Sequence, residues 1–134
     1  MYTALPQEAK DIRIEVFMKE QGFENEFDDI DNISFHIVVF DEEKPIRTCR
    51  FFKENDHYTI GRVAVLKEYR NQHIGNVLLE SAEKEIKKLN GALIVVHAQV
   101  RVSPFYEKQG YIQFGQIDDD EGVPHMWMKK RIQH

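Results

Sequence analysis

The spacing of apolar residues along the chain changes several times, and each change marks the start or end of an element. Near the amino terminus, Ile12, Val16 and Phe17 recur at helical spacing. This pattern predicts a first helix over residues 7–20, which ends near Gly22.

A second helical pattern lies past the middle of the chain. Its inner face carries four apolar residues, Leu78, Ala82, Ile86 and Leu89. On the outer face Glu83 and Lys87 stand four residues apart, which predicts a favourable ion pair between them. Asn90 and Gly91 then predict the end of this helix.

Runs of aromatic and β-branched residues, separated by polar turns, predict the strands of a sheet. The turn at residues 41–45 predicts an antiparallel hairpin, and an acidic turn at residues 118–122 separates the last two strands. The almost wholly apolar run 92–98 is typical of a strand that is covered on both faces. A short helix is predicted over residues 103–110. The predicted strands are residues 34–40, 46–52, 58–66, 92–98, 111–115 and 125–130.

The resulting order of elements is α-β-β-β-α-β-α-β-β. This order predicts an α+β (mixed α/β) fold in which helices pack on a central sheet. The chain has 134 residues, of which 42% are hydrophobic, so we expect one domain spanning residues 1–134. The single cysteine, Cys49, lies in a predicted strand, where we expect a buried and unreactive thiol.

The charge and hydropathy of the chain argue against several classes of function. A formal net charge of −5 provides no broad basic surface, so we expect no nucleic-acid partner. No apolar stretch approaches membrane-spanning length, and no basic segment followed by an apolar run stands at the amino terminus. We therefore expect a cytoplasmic protein that has no membrane partner.

Residues 61–76 form a predicted strand, a short polar turn and the start of the second helix. The first N–H groups of a helix have no partner within it and carry a partial positive charge. A diphosphate placed there gains hydrogen bonds, and Gly75 has no side chain to obstruct its approach. Such junctions are common, so this segment alone does not establish a phosphate site.

The polar turn resembles a known phosphate-binding signature. Residues 70–75, Arg-Asn-Gln-His-Ile-Gly, are similar to the Arg/Gln-x-x-Gly-x-Gly/Ala motif with which GNAT N-acetyltransferases hold the pyrophosphate of coenzyme A. The apolar residues 63–65 precede it at the family's distance, and residues 105–111 resemble the family's Phe-Tyr-x-x-x-Gly-Phe segment. Three further segments are similar to the ElaA-like branch of this superfamily: residues 13–21, 97–99 and 122–128.

The resemblance implies a GNAT-like, mostly antiparallel sheet with flanking helices, splayed between the fourth and fifth family strands. It implies acetyl-coenzyme A (acetyl-CoA) as cosubstrate and no metal. The pantetheine arm would lie between the splayed strands, against the backbone of Val63, Ala64 and Val65. The other residues implied to contact coenzyme A are Arg70, Asn71, Gln72, His73, Ile74, Gly75, Asn76, Ser103, Phe105 and Tyr106.

Two positions depart from the family signature. His73 stands where the signature has its first glycine, and Asn71 stands where members often have another. The backbone N–H groups of both residues can still donate, and asparagine tolerates left-handed conformations. The imidazole of His73 donates to the phosphate, points away from it or crowds it, and the sequence leaves these alternatives open.

The resemblance implies transfer of the acetyl group to a primary amine by direct attack in a ternary complex. Tyr106 matches the family tyrosine that protonates the departing thiolate, and an N–H group near Val65 is the expected oxyanion donor. The general base stays open among His97, His125, and Glu121 or a water that it holds.

Several alternatives remain at this point. The histidine in the glycine signature favours a regulatory module that binds an acyl-CoA without significant catalysis, whereas Tyr106 favours an enzyme. Acyl-homoserine-lactone synthases have broadly similar amino-terminal segments, but this chain is short for one. A metal site of His36, His97 and His125 has no supporting ligand spacing. We expect acetyl-CoA and a small amine as partners, while the identity of the amine and a homodimer stay open.

Overall fold

A computed structural model describes residues 1–22, 27–69, 77–120 and 122–132. Helices flank a central sheet, so the predicted α+β class is confirmed. None of the helices in these ranges is long and apolar enough to cross a membrane. The strands are β1 (Phe35–Asp41), β2 (Lys44–Glu54), β3 (His57–Val65), β4 (Leu93–Gln99), β5 (Ile112–Asp120) and β6 (Val123–Arg131), and the α-helices are α1 (Gln7–Arg13), α2 (Val77–Lys88) and α3 (Ser103–Lys108).

The six strands lie side by side in the order β1-β2-β3-β4-β6-β5. Neighbouring strands are antiparallel, except that β3 and β4 are parallel. A parallel pair needs a crossover, and here the crossover contains α2. The sheet is therefore mostly antiparallel, as the family resemblance implied.

The sheet has a hydrophobic core on each face. The larger core packs α2 and α3 against residues such as Phe51, Ile60 and Val96, and the smaller one packs the first helix against Ala64. Cys49 lies in the larger core, where burial raises the pKa of its thiol to about 12. The predicted buried thiol is confirmed, and it stays protonated at neutral pH.

The first helix is α-helical only as far as Arg13 and continues as a π-helix over Ile14–Glu20. The predicted helical span of residues 7–20 is confirmed, and the change of helix type after Arg13 was not predicted. The N–H of Gln21 donates to the C=O of Val16, five residues earlier, at 3.2 Å. An apolar stripe of about two turns does not distinguish the α-helical repeat from the wider π-helical one.

Strand β5 is longer than the sequence pattern predicted. Residues 118–120 were predicted to belong to a turn over residues 118–122, but they pair with residues 123–125 of β6. The register of β5 on β6 shifts after Phe114, and Gly115 has a positive φ of 72°. Such a bulge interrupts the two-residue alternation, so the continuation of the strand was not visible in the sequence.

The outer face of α2 also differs from the prediction. The carboxylate of Glu83 accepts hydrogen bonds from the Tyr111 hydroxyl and from Nζ of Lys130, both at 2.9 Å, and these partners replace the predicted Lys87. Leu89, predicted on the inner face, lies beyond the end of the helix and is 40% exposed. Helical periodicity shows which residues share one face of a helix. The partners of each side chain depend on how the helix packs on the sheet.

Candidate active site between strands β3 and β4

Strands β3 and β4 are paired over only part of their length. Three residue pairs join them, and the last places Ile60 opposite Val96. Beyond this pair β3 continues to Val65 and β4 continues to Gln99, and within the described residues these two ends are not paired with each other. The predicted splay is therefore confirmed, and it opens a split in the sheet.

A bulge in the pairing of β2 with β3 accounts for the split. The register of the two strands shifts between Thr48 and Arg50. Near this point Arg62 has a left-handed backbone conformation, with φ of 50°. A bulge bends its strand and increases the local twist. The end of β3 therefore turns away from β4 while Ala64 and Val65 stay paired with β2.

The backbone and the side chains of the predicted cofactor strand point in different directions. Ala64 belongs to the smaller core, and Val63 packs against the larger one. The N–H of Leu66 donates to the C=O of Ile46 in β2 at 2.9 Å. Because N–H groups alternate in direction along a strand, the N–H of Val65 is directed away from β2, toward the split. The cores thus fix β3 by its side chains and leave its backbone edge facing the split.

Helix α3 carries the predicted acid, Tyr106, on the side of the larger core. Tyr106 is 5% exposed, and its ring meets Phe105 and Tyr111 edge to face, with centroids 5.2 and 5.8 Å away. Burial raises the pKa of Tyr106, so its hydroxyl stays protonated at neutral pH and can donate. Ser103 is buried at the start of the same helix.

Two of the predicted base candidates, His97 and His125, lie together on the other face of the sheet. Their ring centroids are 4.7 Å apart, and His97 stacks on Trp127 at 4.4 Å. Nε2 of His97 lies 2.8 Å from Oδ1 of Asp118. Nδ1 of His125 lies 2.8 Å from the backbone oxygen of Val123. Both histidines therefore belong to one polar cluster, together with a carboxylate that the sequence analysis did not identify as a site residue.

The cluster stands at the mouth of the split. His97 is the first residue of β4 beyond the last pair with β3. Its neighbours Val96 and Ala98 face the larger core, which contains Tyr106, so the side chain of His97 points to the opposite face. The side chains of Tyr106 and His97 therefore lie on opposite faces of the sheet.

A partly buried ion network supports the β3 side of the split. Asp31 accepts hydrogen bonds from Arg13 at 2.8 Å and from Arg50 at 3.0 Å. Asp28 pairs with Arg50 at 2.6 Å and with Arg62 at 3.3 Å. Burial alone raises the pKa of Asp31, but the two guanidinium groups outweigh it and hold this pKa below its usual value. The network joins the first helix to the bulge of β3, and no sequence pattern indicated it.

Several predicted site residues lie outside the described residues. They are Glu121 and the predicted pyrophosphate turn, Arg70, Asn71, Gln72, His73, Ile74, Gly75 and Asn76. Across the part of the chain that the structure describes, no group of three or more histidine, cysteine, aspartate and glutamate side chains could hold a metal ion. His36 lies on β1, with its Nε2 3.0 Å from the backbone oxygen of Asp31.

Comparison with known proteins shows the family of this chain. Residues 5–132 match the family described as acetyltransferase (GNAT) domain. YjcF of Bacillus subtilis, described as an uncharacterized N-acetyltransferase, is 35% identical over 122 residues, which are 89% of this chain and 87% of YjcF. These matches extend over almost the whole chain.

Solved structures share the same fold. A putative N-acetyltransferase from Lactobacillus plantarum has 29% identity and a TM-score of 0.90, covering 99% of this chain and 97% of that one. Escherichia coli ElaA has 24% identity and a TM-score of 0.82, covering 92% and 88%. An aminoglycoside 6'-N-acetyltransferase complexed with coenzyme A has 15% identity and a TM-score of 0.75, covering 97% and 94%. The chain therefore belongs to the GNAT family of acetyltransferases, with ElaA among its relatives, and it is an acyltransferase.

Proposed function

We propose that this acyltransferase moves the acetyl group of its cosubstrate, acetyl-CoA, to a small primary amine by direct attack in a ternary complex. The observation that carries the proposal is the split between β3 and β4, with Tyr106 on one face of the sheet and the His97–His125 cluster on the other. Direct transfer needs an acid for the departing thiolate and a base for the attacking amine. The arrangement supports a mechanism in which Tyr106 is the acid, a histidine is a candidate base, and no covalent acyl-enzyme forms.

The cosubstrate site in this proposal follows the strand edge and the turn beyond it. The pantetheine arm lies along the backbone of Val63, Ala64 and Val65, as an added strand would. The pyrophosphate lies on the backbone of residues 70–76, and Ser103 and Phe105 border the arm from α3. The coenzyme A bound to the similar aminoglycoside 6'-N-acetyltransferase supports the use of this fold for such a ligand.

The reaction proceeds through a tetrahedral intermediate. The amine nitrogen attacks the carbonyl carbon of the thioester, and the carbonyl oxygen takes the negative charge near the N–H of Val65. The C–S bond then breaks, and the thiolate of coenzyme A accepts the proton of the Tyr106 hydroxyl. The proton lost by the amine passes to the base and returns through solvent to Tyr106. The products are the N-acetylated amine and free coenzyme A.

The choice of base distinguishes three variants of this mechanism. Proximity to the split and to Asp118 supports His97, and the adjacent position of His125 supports that residue as well. Glu121, or a water that it holds, is the third variant. All three require the amine to be neutral when it attacks, so the rate with a given amine is expected to rise with pH.

Thiol release from acetyl-CoA tests the proposal directly. The wild-type protein is incubated with acetyl-CoA and a panel of polyamines, amino sugars and basic peptides, and the free thiol and the N-acetyl product are measured. We expect catalytic turnover with at least one amine. Tight binding of coenzyme A without turnover of any amine would contradict the proposal and favour the regulatory module.

A further inference from the structure

We propose that Asp118 is a positioning residue that holds His97 in the orientation and tautomer with which His97 takes the proton from the amine. The inference rests on the proposed function and selects one of its three base candidates. It also assigns a role to a carboxylate that the sequence pattern placed in the acidic turn between the last two strands.

The hydrogen-bond partners determine the tautomers of the two histidines. An ionised carboxylate only accepts, so the contact of 2.8 Å between Nε2 of His97 and Oδ1 of Asp118 requires a proton on Nε2. A neutral His97 then carries its lone pair on Nδ1. The backbone oxygen of Val123 likewise requires a proton on Nδ1 of His125, which leaves the lone pair of His125 on Nε2. The hydrogen bond from His97 also lowers the pKa of Asp118, so its carboxylate stays ionised at neutral pH.

Exposure separates the two histidines. The side chain of His97 is 27% exposed, whereas His125 is 6% exposed. A base must come within hydrogen-bond distance of the amine that it deprotonates. His97 is therefore the more accessible of the two histidines to a substrate amine, and the ring of His125 packs against it.

Two features of the sheet hold the pair together. The bulge in β5 between Phe114 and Asp118 sets the register in which Asp118 lies opposite His125. His97 stacks on Trp127, the residue opposite it on β6, with the two rings 20° from parallel. The ring plane of His97 is thus fixed by stacking, and its rotation within that plane is fixed by the carboxylate. This division of roles matches a base that is oriented by a third group.

The proton transfer is balanced within the proposed reaction. As the amine nitrogen bonds to the thioester carbon, its N–H proton moves to Nδ1 of His97, and His97 becomes an imidazolium. The carboxylate of Asp118 stabilises this cation across the Nε2–H bond. After the products leave, the imidazolium returns its proton to solvent.

The test compares Asp118→Asn with Asp119→Asn in the full chain. The neighbouring aspartate is a matched control because its loss changes the charge equally, while adjacent strand residues point to opposite faces of a sheet. Turnover of the best amine, affinity for coenzyme A and the melting temperature are measured for each variant. The tautomer of His97 is measured from its imidazole ¹⁵N chemical shifts, assigned with a His97→Asn variant.

We expect Asp118→Asn to lower kcat about 10-fold or more. A general base raises the rate about 10²–10⁴-fold, and the correct alignment of the base accounts for part of that factor. Affinity for coenzyme A and melting temperature should match the control. The ¹⁵N shifts of His97 should report one tautomer, with Nε2 protonated, in the wild type and a mixture in Asp118→Asn. A purely structural role would leave that tautomer unchanged.

Each outcome has a separate meaning. Wild-type turnover in Asp118→Asn, or a reduced turnover with an unchanged His97 tautomer, would overturn the inference and leave the acetyltransferase proposal standing. If the wild type turns over no amine, the proposed function fails. In that case the tautomer still tests whether Asp118 positions His97. The same His97 tautomer in Asp118→Asn as in the wild type overturns that positioning, and a mixture of tautomers in Asp118→Asn supports it.

Discussion

Removing only the hydroxyl of Tyr106 is the sharpest test of whether the split in the sheet is catalytic. Tyr106→Phe keeps the ring that meets Phe105 and Tyr111 at 5.2 and 5.8 Å. The packing of α3 on the larger core is therefore retained. What is lost is the proton donor for the thiolate of coenzyme A.

The expected loss is kinetic. General acid catalysis contributes about 10²–10⁴-fold, so kcat should fall by about 10²-fold or more, which corresponds to about 2.7 kcal/mol in the activation free energy. Affinity for coenzyme A should change little, and the free energy of unfolding should change by less than about 1 kcal/mol. Because burial raises the pKa of Tyr106, the wild-type rate should show no loss from deprotonation of this tyrosine below about pH 10.

Tyr111→Phe is the matched control for this experiment. The Tyr111 hydroxyl donates to Oε2 of Glu83 at 2.9 Å, on the same side of the sheet. Removing it should lower the free energy of unfolding by about 1–3 kcal/mol, since Glu83 loses a buried partner, and it should leave turnover unchanged. The two phenylalanine variants thus separate a kinetic role from a structural one.

Three assays are run on both variants. Thiol release with the best amine measures kcat, calorimetric titration measures the affinity for coenzyme A, and thermal unfolding measures stability. A Tyr106→Phe protein with wild-type kcat would remove this hydroxyl from the mechanism. A protein that loses stability and turnover together would indicate that Tyr106 acts through packing.

Three other predictions concern the cosubstrate turn, the ion network and the end of α2. Gly75→Val should weaken coenzyme A binding sharply in a titration, because its side chain obstructs a phosphate at the helix start; unchanged affinity in a folded variant would exclude this location. Asp31→Asn should lower the free energy of unfolding at neutral pH by about 3–5 kcal/mol, since it removes the carboxylate charge that the buried guanidinium groups of Arg13 and Arg50 share. The pKa of Asp31 is lowered in the folded state, so the stabilisation that its carboxylate provides is present above about pH 4 and is lost as the pH falls through the pKa of the folded state. Denaturant titrations across this range should therefore show that the stability of the variant depends less steeply on acid pH. Gly91→Ala should cost about 1–3 kcal/mol in the same assay, because a Cβ there overlaps Cγ2 of Ile86 and lies 2.8 Å from Cδ2 of Tyr58, and unchanged stability would show that both neighbours can move.

The order of elements could be predicted from the sequence because periodicity is a local property of the chain. Apolar residues at helical spacing, such as Ile12 and Val16, are buried as predicted, and the apolar run that became β4 is covered. The split in the sheet was predicted by a different route. It followed from the resemblance of the polar turn to a family signature, since the bulge at Arg62 has no periodic signal of its own.

The partners of polar residues were decided by the tertiary structure alone. His97 and Asp118 are 21 residues apart and meet because β4, β6 and β5 are adjacent in a particular register. A one-residue slip in either pairing would turn one of the two side chains to the other face of the sheet. Such a register depends on a bulge and on the packing of both cores, neither of which is a local property of the sequence.

The difference between local sequence signals and tertiary packing also explains which residues near the split could be predicted. Tyr106 could be proposed in advance as the acid because a short, contiguous family segment carries it. The ion network of Arg13, Asp28, Asp31, Arg50 and Arg62 could not, because its members come from distant parts of the chain and its buried charges are stable only through their mutual contacts. The sequence by itself determined the elements and the family, and the packed sheet decided which charged and titratable groups meet at the split.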